Sequence, residues 1–359
     1  MLVFLFMQCA ASATDMPIKV GVSNPWSEYI KFLPDETSLP TFWSEEQLGC
    51  FWGTTLQRMV ETKLQSLDRE FTQFRNATKD IEWTSAWWDE DTGCASMQDW
   101  KVVDAMYRSR CMSLDQYGSS LVPVMDMANH TNLWKSKGMY ATDPETKNVR
   151  LTLEEKKSLK AGRELTISYY SYKGACESLF SYGFFESDLE NAQTIFLTIK
   201  PPDDDPLAYA KIFALDLKPA LTIFMHKVAD VIDWGSPLVW AMCVNEEDGL
   251  EIKRAKTVDG ENELVVTWKG VEVHDADKLE VHIKNDPQRD LFKLRAHSIV
   301  RDRVEEEINK RMQEAQTRRE QGMIDNDSHY CEMAETLRKL ERALLDKAVY
   351  CLDRTVRFS

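Results

Sequence analysis

Leu121-Val122-Pro123-Val124-Met125-Asp126-Met127-Ala128-Asn129-His130 reads as an apolar strand and turn closing on an Asn-His pair. Further along, Gly162-Arg163-Glu164-Leu165-Thr166-Ile167-Ser168-Tyr169 alternates apolar with polar residues and ends on a tyrosine. Taken singly, each piece has an ordinary explanation. Asn129 caps the end of a strand, His130 satisfies a buried carbonyl, and Tyr169 is a core residue with its hydroxyl at the surface. Between them, Val149, Leu151 and Leu153 also alternate with polar residues, and Lys160-Ala161-Gly162 makes a turn. The region from Leu121 to Phe185 is therefore expected to be built of short strands and tight turns.

The flanks read differently. From Pro25 to about Asp104 the sequence is rich in Trp and Glu and mainly helical. Ser44 with Gln47 three residues on has the form of a capping box, and Leu48, Phe51, Trp52 and Leu56 follow at helical spacing. Trp83 to Trp88 with Asp89, Glu90 and Asp91 reads as a loop, before a helix through Val102, Val103, Met106 and Tyr107. Pro201-Pro202-Asp203-Asp204-Asp205-Pro206 cannot continue a helix and reads as a linker. Beyond it we expect a helical stretch through Leu221, Phe224 and Val228, then a strand pair between Glu251 and Val273 centred on Leu264-Val265-Val266. Two long charged helices follow, separated by Gly322 to Asn326. One carries Val304, Ile308 and Met312 on its apolar face, the other Leu337, Leu340, Leu344 and Cys351. A hairpin folded on its own domain is the expected arrangement, ahead of a coiled-coil partner site.

Composition bounds the function. At roughly 150 residues per domain, 359 residues suggest two domains. With 29% charged and 43% hydrophobic residues, the chain can build a core, and disorder and fibrous repeats are excluded. No apolar stretch approaches the ~20 residues that cross a bilayer, so no membrane role is expected. The balance of 44 Lys+Arg against 59 Asp+Glu gives a net charge of -15, which opposes nucleic-acid binding and suits a basic, lysine-rich protein partner. The eight cysteines are too scattered for a zinc knuckle or redox motif, and mostly buried thiols in a reducing compartment, cytoplasm or nucleus, are expected. Met1 to Ala13, MLVFLFMQCAASA, looks superficially like a secretory signal, but it lacks a basic n-region and is read as a core helix.

Read together and in order, "LVPVMDMANH", "AGRELTISY" and "ESLFSYGFFE" resemble the C-terminal half of the SET domain in the Rubisco large-subunit methyltransferase-like class of protein lysine methyltransferases. Upstream, "NPWSEYIKFLP", "FWSEEQL" and "GTTL" look like the helical insert of that class, and "YRSRCM" falls where the class has an Arg-Ser-Arg run. The resemblance implies an α+β fold: a SET-type core of short β-strands with a helical insert, followed by a mostly helical C-terminal substrate-binding domain. Residues 1–105 would form a partial SET domain with its insert, 106–200 the second half of the core, and 201–359 the substrate-binding domain.

The implied activity is transfer of a methyl group from S-adenosylmethionine to a lysine of a non-histone protein such as a ribosomal protein or translation factor. A histidine acceptor is an alternative within the same architecture. Tyr169 would be catalytic, and Arg110, Asn129 and His130 would hold the cofactor. Asp126, Tyr182 and Tyr140 would lie on the substrate side. No metal is required, because methyl transfer is an in-line displacement that a protein accelerates largely by alignment. A dry aromatic channel beside a sulfonium cation would also favour the neutral amine over its ammonium form. Two departures stand out. Lys173-Gly174-Ala175-Cys176-Glu177 replaces the Ser-Asn-Ala-Glu frequent in the class. Nothing before Trp26 supplies the Gly-x-Gly turn of a SET core, since Val20-Gly21-Val22 holds a lone glycine. The chain is thus expected to begin inside the domain, and a catalytically inactive SET-like scaffold binding a basic partner is the competing reading.

Overall fold

The computed structural model of the chain describes residues 1–12, 26–34, 37–89, 93, 95–114, 117–169, 173–186, 188–202, 205–226, 231–256, 262–320 and 329–358. Two compact units are present, one of Met1–Trp52 with Leu56–Asp188, the other of Gly53–Thr55 with Leu189–Ser359. The division falls ahead of the Pro201–Pro206 run, because the strand at Thr194–Thr198 pairs with a strand of the second unit. Val20-Gly21-Val22, Glu90, Asp91, Asp203 and Asp204 lie outside the described residues.

The first unit opens with helix α1 (Leu2–Ser12) and the single turn α2 (Ser27–Ile30). Leu5 and Phe6 of α1 are buried in a cluster with Leu67, Phe74, Trp87, Trp100, Val103 and Met106, so the apolar start packs as a core helix. Each such side chain contributes about 1.5–3 kcal/mol through burial. Helix α3 (Glu45–Gly49) has the expected capping box: Gln47 N–H donates to Ser44 Oγ at 3.2 Å, and Ser44 N–H donates to Gln47 Oε1 at 2.8 Å. It does not run on to Leu56. The backbone breaks at Gly53, whose φ of +80° suits glycine, and α4 (Thr55–Thr78) starts afresh. Trp83 to Trp88 is partly helical, with a 3-10 turn at Ser85–Trp88. Helix α5 (Met97–Arg110) follows, capped by Ser96, and ends in Arg108 and Arg110, where a helix C-terminus favours cations.

The sheets of this unit are small. Strands β1 (Met112–Leu114) and β2 (Gly118–Ser120) form one antiparallel pair, and β3 (Gly138–Thr142) and β4 (Val149–Leu153) another, with Tyr140 opposite Leu151. Two expected strands are not formed. Leu121 to Val124 is a turn, since Pro123 has no N–H for a ladder and Val124 has φ +74°; a 3-10 turn at Met125–Met127 follows. Leu165 to Tyr169 contributes one bridging residue: Ile167 N–H donates to Asn129 O, and Thr131 N–H donates to Ile167 O, both at 3.0 Å. Gly138 lets this segment approach, because a Cβ there would lie 3.1 Å from the Ile167 and Leu165 side chains and from Thr166 O. Helix α6 (Ala175–Tyr182) closes the unit.

Val124 is β-branched, 79% exposed and held at positive φ, a conformation that costs a non-glycine residue roughly 1–2 kcal/mol. Its side chain packs little, so Val124→Gly is expected to raise the unfolding free energy by about 1 kcal/mol in urea titration. A loss of stability would show that the valine is held by contacts outweighing its strain.

In the second unit, β5 (Thr194–Thr198) is followed by helix α7 (Ala208–Ala214), then by β6 (Ala220–His226) and β7 (Val231–Gly235). The sheet order is β5-β6-β7, all antiparallel. The helix expected through Leu221 and Phe224 is instead the strand β6, and Val228 lies outside the described residues. Period two wins over the helical spacing because Leu221 and Ile223 are buried together on one face, and Thr222 and Ile223 are β-branched. Helix α8 (Pro237–Met242) leads to β8 (Leu250–Lys256), β9 (Asn262–Trp268) and β10 (Val271–Val273), a meander with one strand more than expected. Helices α9 (Ala276–Lys284), α10 (Arg289–Glu320) and α11 (His329–Phe358) complete the chain, the last two packing together. The turn residues Gly322 to Asn326 lie outside the described residues. Val304, Leu337 and Leu344 are buried as expected, whereas Met312 is exposed.

A charged network crosses this helix pair. Glu307 accepts from Arg303 at 2.8 Å and from Arg311 at 2.9 Å, and Arg311 also reaches Glu341, whose side chain is fully buried. Burial pushes the Glu307 carboxyl up, but Arg311 and Arg303 outweigh it and hold the group below the usual range. The expectation of thiols throughout fails at Cys50 and Cys331, which are in the disulfide state. No helix of the described residues is long and apolar enough to cross a membrane.

Candidate active site

The end of α5, the Met125–Met127 turn, β3, the Ile167 segment and α6 converge within the first unit. Arg110, Asp126, Tyr140, Tyr169 and Tyr182 line one small cavity there, together with Ile167 and the Ser109, Cys111 and Met112 that flank Arg110. Five of the seven residues singled out from the sequence therefore share a site. Asp126 has a fully buried side chain, with Oδ2 3.5 Å from Arg110 Nη1 and accepting from Tyr29 OH at 2.6 Å. Burial, reinforced by Asp126, pushes the Tyr29 phenol up, so it stays a neutral donor. Arg110 also donates to the Asp126 carbonyl at 3.2 Å. Arg110 Nε and Asp126 Oδ1 are buried with no hydrogen-bond partner among the described residues. Unpaired buried polar atoms are rare in folded proteins, and at a cavity wall they are what a polar ligand would satisfy.

Tyr169 is set by its hydroxyl and its backbone together. The hydroxyl donates to Ala128 O at 2.9 Å, and the Tyr169 N–H donates to His130 Nδ1 at 3.1 Å. Its ring lies 4.9 Å from that of Tyr182 and 5.1 Å from that of His130. Burial raises the Tyr169 pKa; Arg110 opposes this and Asp126 and Glu164 add to it, so the phenol stays protonated near neutrality. Tyr169 can accept and orient a hydrogen bond, but it is no phenolate base. Tyr182 in turn meets Lys173, whose Nζ is 3.3 Å from the Tyr182 hydroxyl and 4.5 Å from its ring centre. Burial lowers the Lys173 pKa, with Glu177 opposing.

His130 adjoins the cavity through Tyr169. Because its Nδ1 accepts from the Tyr169 N–H, its Nε2 carries the proton and donates to Glu186 Oε1 at 3.2 Å. Burial lowers the His130 pKa below the ordinary 6.5, against the opposing pull of Glu186. A histidine kept neutral by the fold binds fewer protons than its unfolded counterpart as pH falls through about 6.5. Stability is therefore expected to drop on acidification below that point, by at most about 1.4 kcal/mol per pH unit from this group. Thermal unfolding of wild type against His130→Gln between pH 7.5 and 5.5 checks it; equal slopes would refute the assignment.

Asn129 stands apart: it is exposed, and its side-chain amide donates to Glu164 Oε1 at 2.6 Å while its carbonyl holds Ile167. Tyr29, Glu164, Lys173 and Glu186 were not singled out from the sequence as site residues. Tyr29, Glu164 and Glu186 fall inside the motif strings, but a string does not say which member touches which. No cluster of His, Cys, Asp and Glu able to hold a metal is present among the described residues.

No family model matches the chain. It is 27% identical over 295 residues to "SET domain-containing protein 8" of Schizosaccharomyces pombe, covering 80% of this chain and 63% of that protein. It is 28% identical over 199 residues to the [fructose-bisphosphate aldolase]-lysine N-methyltransferase of Arabidopsis thaliana, covering 52% of this chain and 39% of that one. An actin-histidine N-methyltransferase of Danio rerio is 25% identical over 173 residues, covering 47% and 28% respectively. The chain thus spans less than two thirds of each of these relatives. Among solved structures, Rubisco large-subunit methyltransferase bound to S-adenosylmethionine superposes with a TM-score of 0.63 at 17% identity, over 99% of this chain and 74% of that one. At that identity the likeness speaks for the fold.

Proposed function

We propose, from the premise that the chain is a SET-domain protein of the Rubisco large-subunit methyltransferase-like class, that it is an S-adenosylmethionine-dependent protein methyltransferase acting on lysine. One observation carries the reading: Arg110, Asp126, Tyr169 and Tyr182 converge on a cavity whose walls hold two buried, unpaired polar atoms, Arg110 Nε and Asp126 Oδ1. Those atoms fit a polar, charged cofactor. Arg110 and His130, with the Asn129 backbone, would hold it, and when bound it supplies a methyl group activated on a sulfonium sulfur.

The chain's own residues do the rest. Tyr169, anchored at Ala128 O, keeps its oxygen lone pairs for the acceptor amine and fixes its approach. The Tyr169 and Tyr182 rings exclude water from one side of that approach and favour an uncharged amine. Since Tyr169 stays protonated, the amine's proton leaves to solvent before transfer rather than to this phenol. The acceptor is proposed to lie in a non-histone basic protein, such as a ribosomal protein or translation factor, in cytoplasm or nucleus; the net charge of -15 supports a basic partner. The test is incubation with radiolabelled S-adenosylmethionine and a ribosomal-protein fraction, with the modified residue located by mass spectrometry. Label on lysine supports the proposal, and label on histidine corrects the acceptor. Failure of the protein to bind S-adenosylmethionine in calorimetry would favour the inactive scaffold.

A further inference from the structure

The second unit contains an open pocket of about 490 Å³ that the methyl-transfer reading leaves unused. One wall is aromatic. Trp234 of β7 and Trp240 of α8 stack with ring centres 5.3 Å apart at 26°, and His297 of α10 meets Trp234 edge-on at 5.9 Å. The rim is basic, formed by Lys284 at the end of α9 and by Arg289 and Lys293 of α10. We propose that this pocket binds a carboxylate borne on an apolar-flanked stretch of polypeptide.

Three observations support the assignment. Arg289 and Lys293 lie four residues apart on one face at the start of α10, where the helix dipole and their mutual repulsion disfavour positive charge, and the largely buried His297 follows four residues further along the same face. Such a placement weakens the helix unless an anion offsets it, and it occurs in a chain whose net charge is -15. His297 is only 9% exposed, and its Nδ1, enclosed at the pocket wall, has no hydrogen-bond partner among the described residues. The charge balance then selects the kind of anion. Lys284 is held by Glu280 at 2.6 Å, Arg289 has Asp290 at 3.9 Å, and Asp233 also lines the pocket. Lys293 makes no ion pair among the described residues. One cation without an ion pair, beside a neutral imidazole and two carboxylates, suits a monoanion; a phosphate dianion favours a bidentate arginine and no acidic neighbours. The indole wall supplies the surface for apolar residues next to the carboxylate.

The test is fluorescence anisotropy of the full chain with a labelled peptide of alternating Leu and Glu, and with its Leu-Gln counterpart. The Leu-Glu peptide is expected to bind at least tenfold more tightly. Lys293→Glu should weaken it by at least tenfold and Lys293→Arg should retain it, with unchanged circular dichroism and unchanged S-adenosylmethionine affinity in both variants. Equal binding of the two peptides, or indifference to Lys293→Glu, would overturn the proposal. Displacement of the peptide by free glutamate at a concentration matching the peptide's own Kd would also overturn it, assigning the site to a small carboxylate. Because the readout is peptide binding alone, failure here leaves the methyltransferase reading untouched, and failure of methyl transfer leaves this one untouched.

Discussion

Tyr169→Phe is expected to lower the rate of methyl transfer by about a hundredfold or more, while S-adenosylmethionine affinity stays within about threefold of wild type. The ring would remain, packed against His130 and Tyr182, and the Tyr169 N–H would still hold His130 Nδ1. Only the hydroxyl is removed, and with it the hydrogen bond to Ala128 O and the oxygen proposed to orient the acceptor. An effect on kcat with little change in cofactor binding is the signature of a group used during transfer. A parallel loss of cofactor affinity would instead mean that the Ala128–Asn129–His130 segment had shifted, making Tyr169 structural. Turnover close to wild type would remove it from the catalytic machinery.

The second large effect is expected at Asp126. Its fully buried side chain faces the Arg110 guanidinium and the Tyr29 hydroxyl. Removing one member of a buried ion pair leaves the other charge uncompensated, which typically costs about 3–5 kcal/mol. Because Arg110 keeps some contact with solvent, the lower end, about 3 kcal/mol, is expected for Asp126→Ala in chemical denaturation. Asp126→Asn should cost less, since an amide oxygen can still accept from Tyr29. Both should weaken cofactor binding, because Arg110 would no longer be held in place. If Asp126→Ala were as stable as wild type, the ion pair would carry no structural weight and the carboxylate would be free for a substrate role.

How legible these features were in the sequence differs from one to the next. The capping box at Ser44 and Gln47 and the charged helix pair at the C-terminal end could be read directly, because caps and long apolar stripes are local signals. The strand at Ala220–His226 could not: Leu221, Phe224 and Val228 fall at helical spacing, and only the pairing with Thr194–Thr198 and Val231–Gly235 decides for period two. Tertiary pairing of this kind leaves no mark within the segment itself. The site was legible as a set of motif strings, and five of its named residues line the cavity. Its internal wiring was not legible. Tyr29 reaches Asp126 across 97 positions and Glu186 reaches His130 across 56, distances over which sequence carries no contact information in one chain.

The charged ladder between α10 and α11 also fixes how the two helices are matched. Glu307 is bracketed by Arg303 and Arg311 on its own helix, while Arg311 also reaches across to the buried Glu341, and Arg301 pairs across with Asp353. Leucines tolerate a slide, because one apolar rung resembles the next. A slip of one helical turn, about 5.4 Å, would carry Arg311 past its partner and leave Glu341 buried without a counter-charge. The ion pairs thus act as an indexing pin: they add little net stability over an apolar seam, but they leave the hairpin a single alignment in which every buried charge is met.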